Sequence, residues 1–295
     1  MHIIVLGAAA GGGLPQWNCG CQNCQDARNG TIPAMTQSCL AVSTNSVEWV
    51  LLNASPDLRT QLCSQSYLHP RGLRDSPISA VILTNGDIDH IAGLLHLREN
   101  SPFDVYATRS SLDILDSNSV FKVLNSTCVV HKEIVLDRSF QPIPDLRIVP
   151  FSVPGKVALF LETETLNLEE IGEQTIGLLI ESNGQRVAFI PGCATIPDWL
   201  IDRIQDVDLL LFDGTVWNDD DMHRVGTGRK TGGRMGHIAQ NGPAGSLQRF
   251  AHVRSRRVFI HINNTNPILQ KNSLERSKVI ESGWEVAFDG MEIHL

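Results

Sequence analysis

The chain has 295 residues, 42% hydrophobic and 19% charged, the make-up of a globular protein rather than a disordered or fibrous one. Twenty-four basic residues against 32 acidic ones leave a net charge of −8, so general attraction to nucleic acid or to an acidic membrane surface is not expected. No run approaches the roughly 18 apolar residues of a membrane span, and Met1 to Gly13 lacks the basic start and long apolar stretch of a secretion signal.

His2 to Leu6 reads as a short apolar strand that runs into Gly7 and the turn Gly11-Gly12-Gly13. Glu48 to Asn53 and Ala80 to Thr84 read as buried strands. Ile88 to Glu99 has helical spacing, and Asp104 to Ala107 is a further strand. Ile176 to Ser182 and Gln185 to Pro191 flank Asn183-Gly184, the strongest short hairpin signal. Leu209 to Phe212 and Arg257 to Ile262 are two more buried strands, each followed by a polar cluster. Trp284 to Leu295 reads as a closing hairpin that turns at Asp289-Gly290. Strands dominate, and polar residues gather at strand ends. That pattern predicts a layered α/β protein with its site on loops at one edge.

The seven cysteines are an odd number. In a chain of this kind that places the protein in the cytoplasm, with thiol or metal chemistry rather than a disulfide framework. Cys19, Cys21 and Cys24 can converge on one zinc ion, because thiolates at this spacing let the backbone wrap the metal. The alternative is three unliganded thiols with redox activity. A closed structural site wants a fourth ligand, and His2, His69, His223 and His294 are open candidates. Cys39, Cys63, Cys128 and Cys193 stand alone and read as small buried apolar residues rather than nucleophiles.

The strand Ala80 to Thr84 leads into Asn85-Gly-Asp87-Ile-Asp89-His90, which can aim Asp87, Asp89 and His90 into one cavity. Carboxylate plus imidazole suits iron, zinc or manganese. One of the aspartates can instead cap the following helix. Two later strand ends deliver Asp213 and His261. Together these give two histidines and two carboxylates from three strand ends. The segment from Arg224 to His237 holds four basic residues and five glycines. Its Arg229, Lys230 and Arg234 are candidates for binding an anionic substrate, against the alternative of a solvated surface loop. His237 at its far end is a candidate general base or hydrogen-bond donor, against a structural role.

These residues resemble the metallo-β-lactamase superfamily, and within it the branch that serves biosynthesis of pyrroloquinoline quinone (PQQ). The similarity runs through Gly11 to Cys24, Asn53 to Arg59, and Ile88-Asp89-His90 with Gly93-Leu-Leu. It continues through Met235 to Pro243, His261 to Ile268 and Val286 to Met291, and is poorest from about 100 to 190. The resemblance implies one domain over 1–295, a four-layer αβ/βα sandwich, with a small zinc-binding loop at 17–26. It also implies a structural zinc at Cys19, Cys21 and Cys24.

The superfamily's metal loop reads H-x-H-x-D-H, whereas here it reads Asn85-x-Asp87-x-Asp89-His90, so both histidines of one metal site are absent. The histidine expected near Phe151 to Gly155 is absent too. The second site, Asp89, His90, Asp213 and His261, is complete. This favours a single active-site metal, iron or another divalent ion, over a two-metal hydrolytic clamp. Asp87 remains a candidate ligand or proton acceptor.

The resemblance therefore implies a metal-dependent hydroxylase acting on a tyrosine-derived, small-molecule or peptide-derived PQQ intermediate. The alternatives are a carrier that helps move PQQ or its precursor to the periplasm, and a metallo-hydrolase of the phosphodiesterase kind. Other proteins of the pathway and a homodimer are the candidate protein partners.

Overall fold

Two seven-stranded sheets pack against each other in the computed structural model, which describes residues 1–162 and 171–295. The first holds β1 (His2–Gly7), β2 (Cys39–Ser43), β3 (Trp49–Leu52), β4 (Ile78–Ile82), β5 (Phe103–Ala107) and β6 (Val129–Glu133). The second holds β7 (Phe140–Ile143), β8 (Leu146–Ser152), β9 (Ile176–Ser182), β10 (Gln185–Ile190), β11 (Leu209–Asp213), β12 (Arg256–Ile260) and β13 (Trp284–Val286). The last strand, β14 (Met291–His294), returns to the first sheet. The orders are β14-β1-β2-β3-β4-β5-β6 and β13-β12-β11-β10-β9-β8-β7. This is the expected metallo-β-lactamase sandwich.

Side-chain alternation sorts the first sheet's residues between two apolar layers. Ile3, Val5, Leu40, Val42, Val50, Leu52 and Ile82 join the core shared with the second sheet. Ile4, Leu6, Ala41, Trp49, Leu51 and Val81 join a separate core on the other face, with Leu112 and Leu115 of the helix Arg109–Ser117. The second sheet is buried on both faces, which is why Leu209 to Phe212 is an unbroken apolar run with no exposure. Each such side chain contributes about 1.5–3 kcal/mol by leaving water.

The Asn183-Gly184 turn joins β9 to β10 in an antiparallel hairpin, with both turn residues at positive φ, 50° and 79°. Two expectations are corrected. Trp284 to Leu295 is not a hairpin: β13 runs parallel to β12, while β14 runs antiparallel to β1. The Asp289 carboxylate fixes this crossing between sheets by accepting hydrogen bonds from Ala8 N at 2.9 Å and Thr36 N at 2.7 Å. The helix expected over 88–99 is an α-turn, Ile88–Ile91, followed by a 3₁₀ segment, Ala92–Leu97. Gly93 lies just after the α-turn. It packs on the Ala54–Ser55 backbone so closely that a Cβ there would sit 2.1 Å from Ser55 O. Among the described residues no helix is long and apolar enough to cross a membrane.

Parallel pairing places the site. β11 and β12 pair in register, Asp213 opposite Ile260, so Asp213 and His261 leave neighbouring strand ends. β4 ends on the same edge. There Asn53 accepts from Thr84 N at 2.9 Å and donates to Thr84 Oγ1 at 3.0 Å, which sets the start of the Asn85–His90 loop.

Candidate metal centre

Five side chains converge at this edge. Asp89, His90 and His261 form one group, and Asp213, His237 and His261 another, with the ligand atoms of each group within 4.8 Å of one another. His261 belongs to both, so the two groups are one centre. His261 holds φ at +54°, an uncommon conformation for a residue with a side chain, just beyond β12. Strain of this kind persists where the surroundings over-determine it. On the facing loop Gly11 permits close approach: a Cβ there would lie 3.2 Å from Asp89 Oδ2.

Thr215 organises the Asp213 side. Its hydroxyl donates to Asp213 Oδ1 at 2.7 Å, and its backbone N donates to the same oxygen at 3.0 Å. Asp213 Oδ2 accepts from Cys193 N at 3.0 Å and from His237 Nδ1 at 2.8 Å. The Thr215 hydroxyl also lies 2.9 Å from His261 Nδ1. Because its single proton serves Asp213, His261 Nδ1 must donate to it. The lone pair of His261 Nε2 then faces Asp89 Oδ2 at 3.1 Å. Two acceptors face each other there, an arrangement that takes a proton or a metal cation. Burial disfavours the charged His261 ring, but Asp89 and Asp213 outweigh burial and raise its pKa. Burial likewise works against charge on Asp213, yet His237, His261 and the Thr215 hydroxyl hold its carboxyl below the usual range.

His90 is held the same way. Its Nδ1 donates to Asn85 Oδ1 at 2.8 Å, and Asn85 Oδ1 also accepts from Asp87 N at 2.9 Å. The Nε2 lone pair is therefore left over. It is buried without a hydrogen-bond partner among the described residues, 4.0 Å from Asp89 Oδ2. An orphaned imidazole nitrogen beside two carboxylates and two further imidazoles is a donor set that fits a divalent metal.

The centre opens into a cavity of about 330 Å³, which Asp87, Lys156, Leu159, Lys230 and Met235 also line. Asp87 sits at the helix N-cap position without capping; its Oδ1 accepts from Leu159 N at 2.9 Å instead. His237 is not at a distance from the ligands but against them, with its ring stacked on His261 at 5.0 Å. Of the three basic residues expected at a substrate, Lys230 lines the cavity, and Arg229 is exposed and does not. Arg234 donates to Glu162 at 2.9 Å, and Glu162 also pairs with buried Lys156 at 2.9 Å. Burial opposes charge on Glu162, but Arg234 and Lys156 pull its pKa down to about 2.

Thr215 and Lys156 were not singled out by sequence. Thr215 had a signal, a hydroxyl two residues after a strand-end aspartate. Lys156 had none.

The three thiols of Cys19, Cys21 and Cys24 gather as expected. None of the four candidate histidines joins them. His2 and His294 stack on each other, His69 bonds Cys63 O at 2.9 Å, and His223 is exposed on the helix Asp221–Val225. Instead the Asn264 side-chain amide reaches all three sulfurs, at 3.2, 3.6 and 3.3 Å. Asn264 follows His261 by three residues, so one polar loop serves both clusters.

A family model described as a beta-lactamase superfamily domain matches residues 48–262. The coenzyme PQQ synthesis protein B of Ruegeria pomeroyi is 52% identical over 295 residues, all of both chains. That of Methylorubrum populi is 53% identical over 299 residues, again covering both chains entirely. The crystal structure of Zn²⁺-bound PqqB from Methylobacterium extorquens superposes with a TM-score of 0.99 at 51% identity, covering all of both chains. A diphosphatase of the PhnP family shares the fold, with a TM-score of 0.71 at 18% identity over all of this chain and 97% of its own.

Proposed function

Because the chain belongs to the coenzyme PQQ synthesis protein B family of the metallo-β-lactamase superfamily, we propose that it is a one-metal oxygenase. In this reading it hydroxylates a tyrosine-derived intermediate of PQQ biosynthesis, placing one oxygen atom of dioxygen in the product and releasing the other as water with two electrons from an external reductant. What supports the reading is the pair of groups that share His261, Asp89–His90–His261 and Asp213–His237–His261, with the orphaned His90 Nε2 among them. Two-ion hydrolysis would need further ligands where Asn85 and Asp87 stand, but Asn85 is spent on fixing His90, and Asp87 offers a single uncommitted oxygen in place of an imidazole because its Oδ1 accepts from Leu159 N. Imidazoles and carboxylates with positions left open suit iron. Iron held by these residues supplies the redox chemistry that dioxygen activation requires. Cys19, Cys21 and Cys24 carry a separate, structural zinc in this reading.

The chain's own residues do the rest. Lys230 at the cavity meets substrate carboxylates as a point charge. Lys156, buried in the same lining, pairs with Glu162, which in turn holds Arg234. Leu159, tethered to Asp87, adds an apolar side chain to the cavity lining. His237, with Nδ1 held by Asp213, leaves Nε2 to hold or give a proton, and Asp87 Oδ2 accepts one. Other pathway proteins and a second copy of the chain are the protein partners compatible with this role.

Metal analysis of anaerobically purified protein tests the proposal. One zinc and one iron per chain are expected. Zinc at the cysteines alone, with tight binding of finished cofactor and no turnover, would replace the oxygenase with a carrier.

A further inference from the structure

A third cluster of metal-ligating side chains lies at the start of β1, the strand end away from the Asp–His centre. β1 and β14 pair with His2 opposite His294 and Ile4 opposite Glu292. His2, His294 and Glu292 therefore share one face of the sheet, because side chains alternate and diagonal neighbours stay within reach. Glu292 Oε2 lies 3.1 Å from His2 Nε2 and 3.5 Å from His294 Nε2. The three ligand atoms all fall within 4.8 Å of one another. The two imidazoles stack with centroids 4.1 Å apart.

His2 is fixed in this pose. It is buried, with its ring meeting the Trp49 and Tyr67 rings at 5.0 Å each, and its Nδ1 lies 3.1 Å from Ser46 Oγ. Anchoring one ring nitrogen leaves the other to point at a ligand. Glu292 and His294 are exposed at 38% and 66%, so solvent ions reach the cluster directly. Zinc binds imidazole nitrogen at about 2.0–2.1 Å, so tetrahedral ligands stand roughly 3.3 Å from each other. The observed 3.1 and 3.5 Å separations bracket that value.

We infer that His2, Glu292 and His294 form an exchangeable site for a divalent transition cation of the zinc class, with a fourth position open to water. Two imidazoles select such ions over magnesium and calcium, which prefer oxygen. The site joins β1 to β14, where Leu295 N already donates to Met1 O at 3.0 Å. The cation acts there as a clip on β14, and occupancy raises resistance to unfolding.

The test uses untagged full-length protein carrying its resident metals. Equilibrium dialysis against micromolar Zn²⁺ counts bound ions in the wild type, H294A and E292Q. One further zinc per chain is expected in the wild type, with affinity in both variants reduced by about 100-fold or more, since even outer-shell losses cost 10–100-fold. Zinc should raise the Tm of the wild type and leave that of H294A unchanged, with identical far-UV circular dichroism confirming the fold. Equal zinc uptake by all three proteins, or no additional zinc in the wild type, would overturn the assignment. Equal uptake of Mg²⁺ and Zn²⁺ at this cluster would overturn it as well, by showing only attraction to a surface carboxylate.

Discussion

Replacing Thr215 by Val removes one hydroxyl and little volume, so it tests how the metal centre is held. That hydroxyl lies 2.7 Å from Asp213 Oδ1 and 2.9 Å from His261 Nδ1, in a residue 3% exposed. Without it, His261 Nδ1 is stranded as a buried donor, a cost of about 1–3 kcal/mol in the metal-free protein. Asp213 Oδ1 keeps only the Thr215 backbone N–H, at 3.0 Å. Both ligands lose the contact that sets their orientation. Outer-shell losses of this sort weaken metal binding by about 10–100-fold, which is roughly 1.4–2.7 kcal/mol. Chelator competition on the iron-loaded protein measures the affinity, and urea unfolding of the metal-free protein measures the stability. Affinity within twofold of the wild type, together with unchanged stability, would refute the claim that Thr215 organises the centre.

Asn85→Ala frees His90 Nδ1 and should also weaken metal binding by about 10–100-fold, while His90→Ala should leave the active-site metal absent from elemental analysis. Cys24→Ser should lose about one zinc per chain and unfold a few degrees below the wild type by calorimetry. A pH effect follows from Glu162, whose folded pKa of about 2 lies below the usual value of 4.5. Its contribution is fully present above pH 4.5 and is lost as pH falls through about 2. Tm measured from pH 5 to pH 2 should therefore fall more steeply in the wild type than in Glu162→Gln, and parallel curves would contradict the buried pairing with Lys156 and Arg234.

Much of this architecture is written in local patterns. Strands buried on both faces, such as Leu209 to Phe212, announce themselves as unbroken apolar runs. Strand-end polar residues, Asp213 and His261 among them, stand out against those runs. Partnership across distance is not local. Trp284 to Leu295 has the signature of a hairpin, yet its halves pair with β12 and β1 in different sheets. The cause is Asp289, whose carboxylate bonds Ala8 and Thr36 far away in sequence. For the fourth neighbour of the cysteine cluster the sequence offers histidines, the usual partners of thiolates around zinc. Asn264 occupies that place because the loop after β12 must run past the cysteines on its way from His261. Lys156 carries no pattern at all. Its importance lies in Glu162 and Arg234, which only the folded chain brings to it.

Oxygen uptake by iron-loaded protein, given tyrosine-derived intermediates of the PQQ pathway and a two-electron reductant, tests the proposed chemistry most directly. Stoichiometric consumption of dioxygen with formation of a hydroxylated product is expected, abolished in His90→Ala and Asp213→Ala. Iron-loaded protein that consumes no oxygen with any pathway intermediate would contradict it.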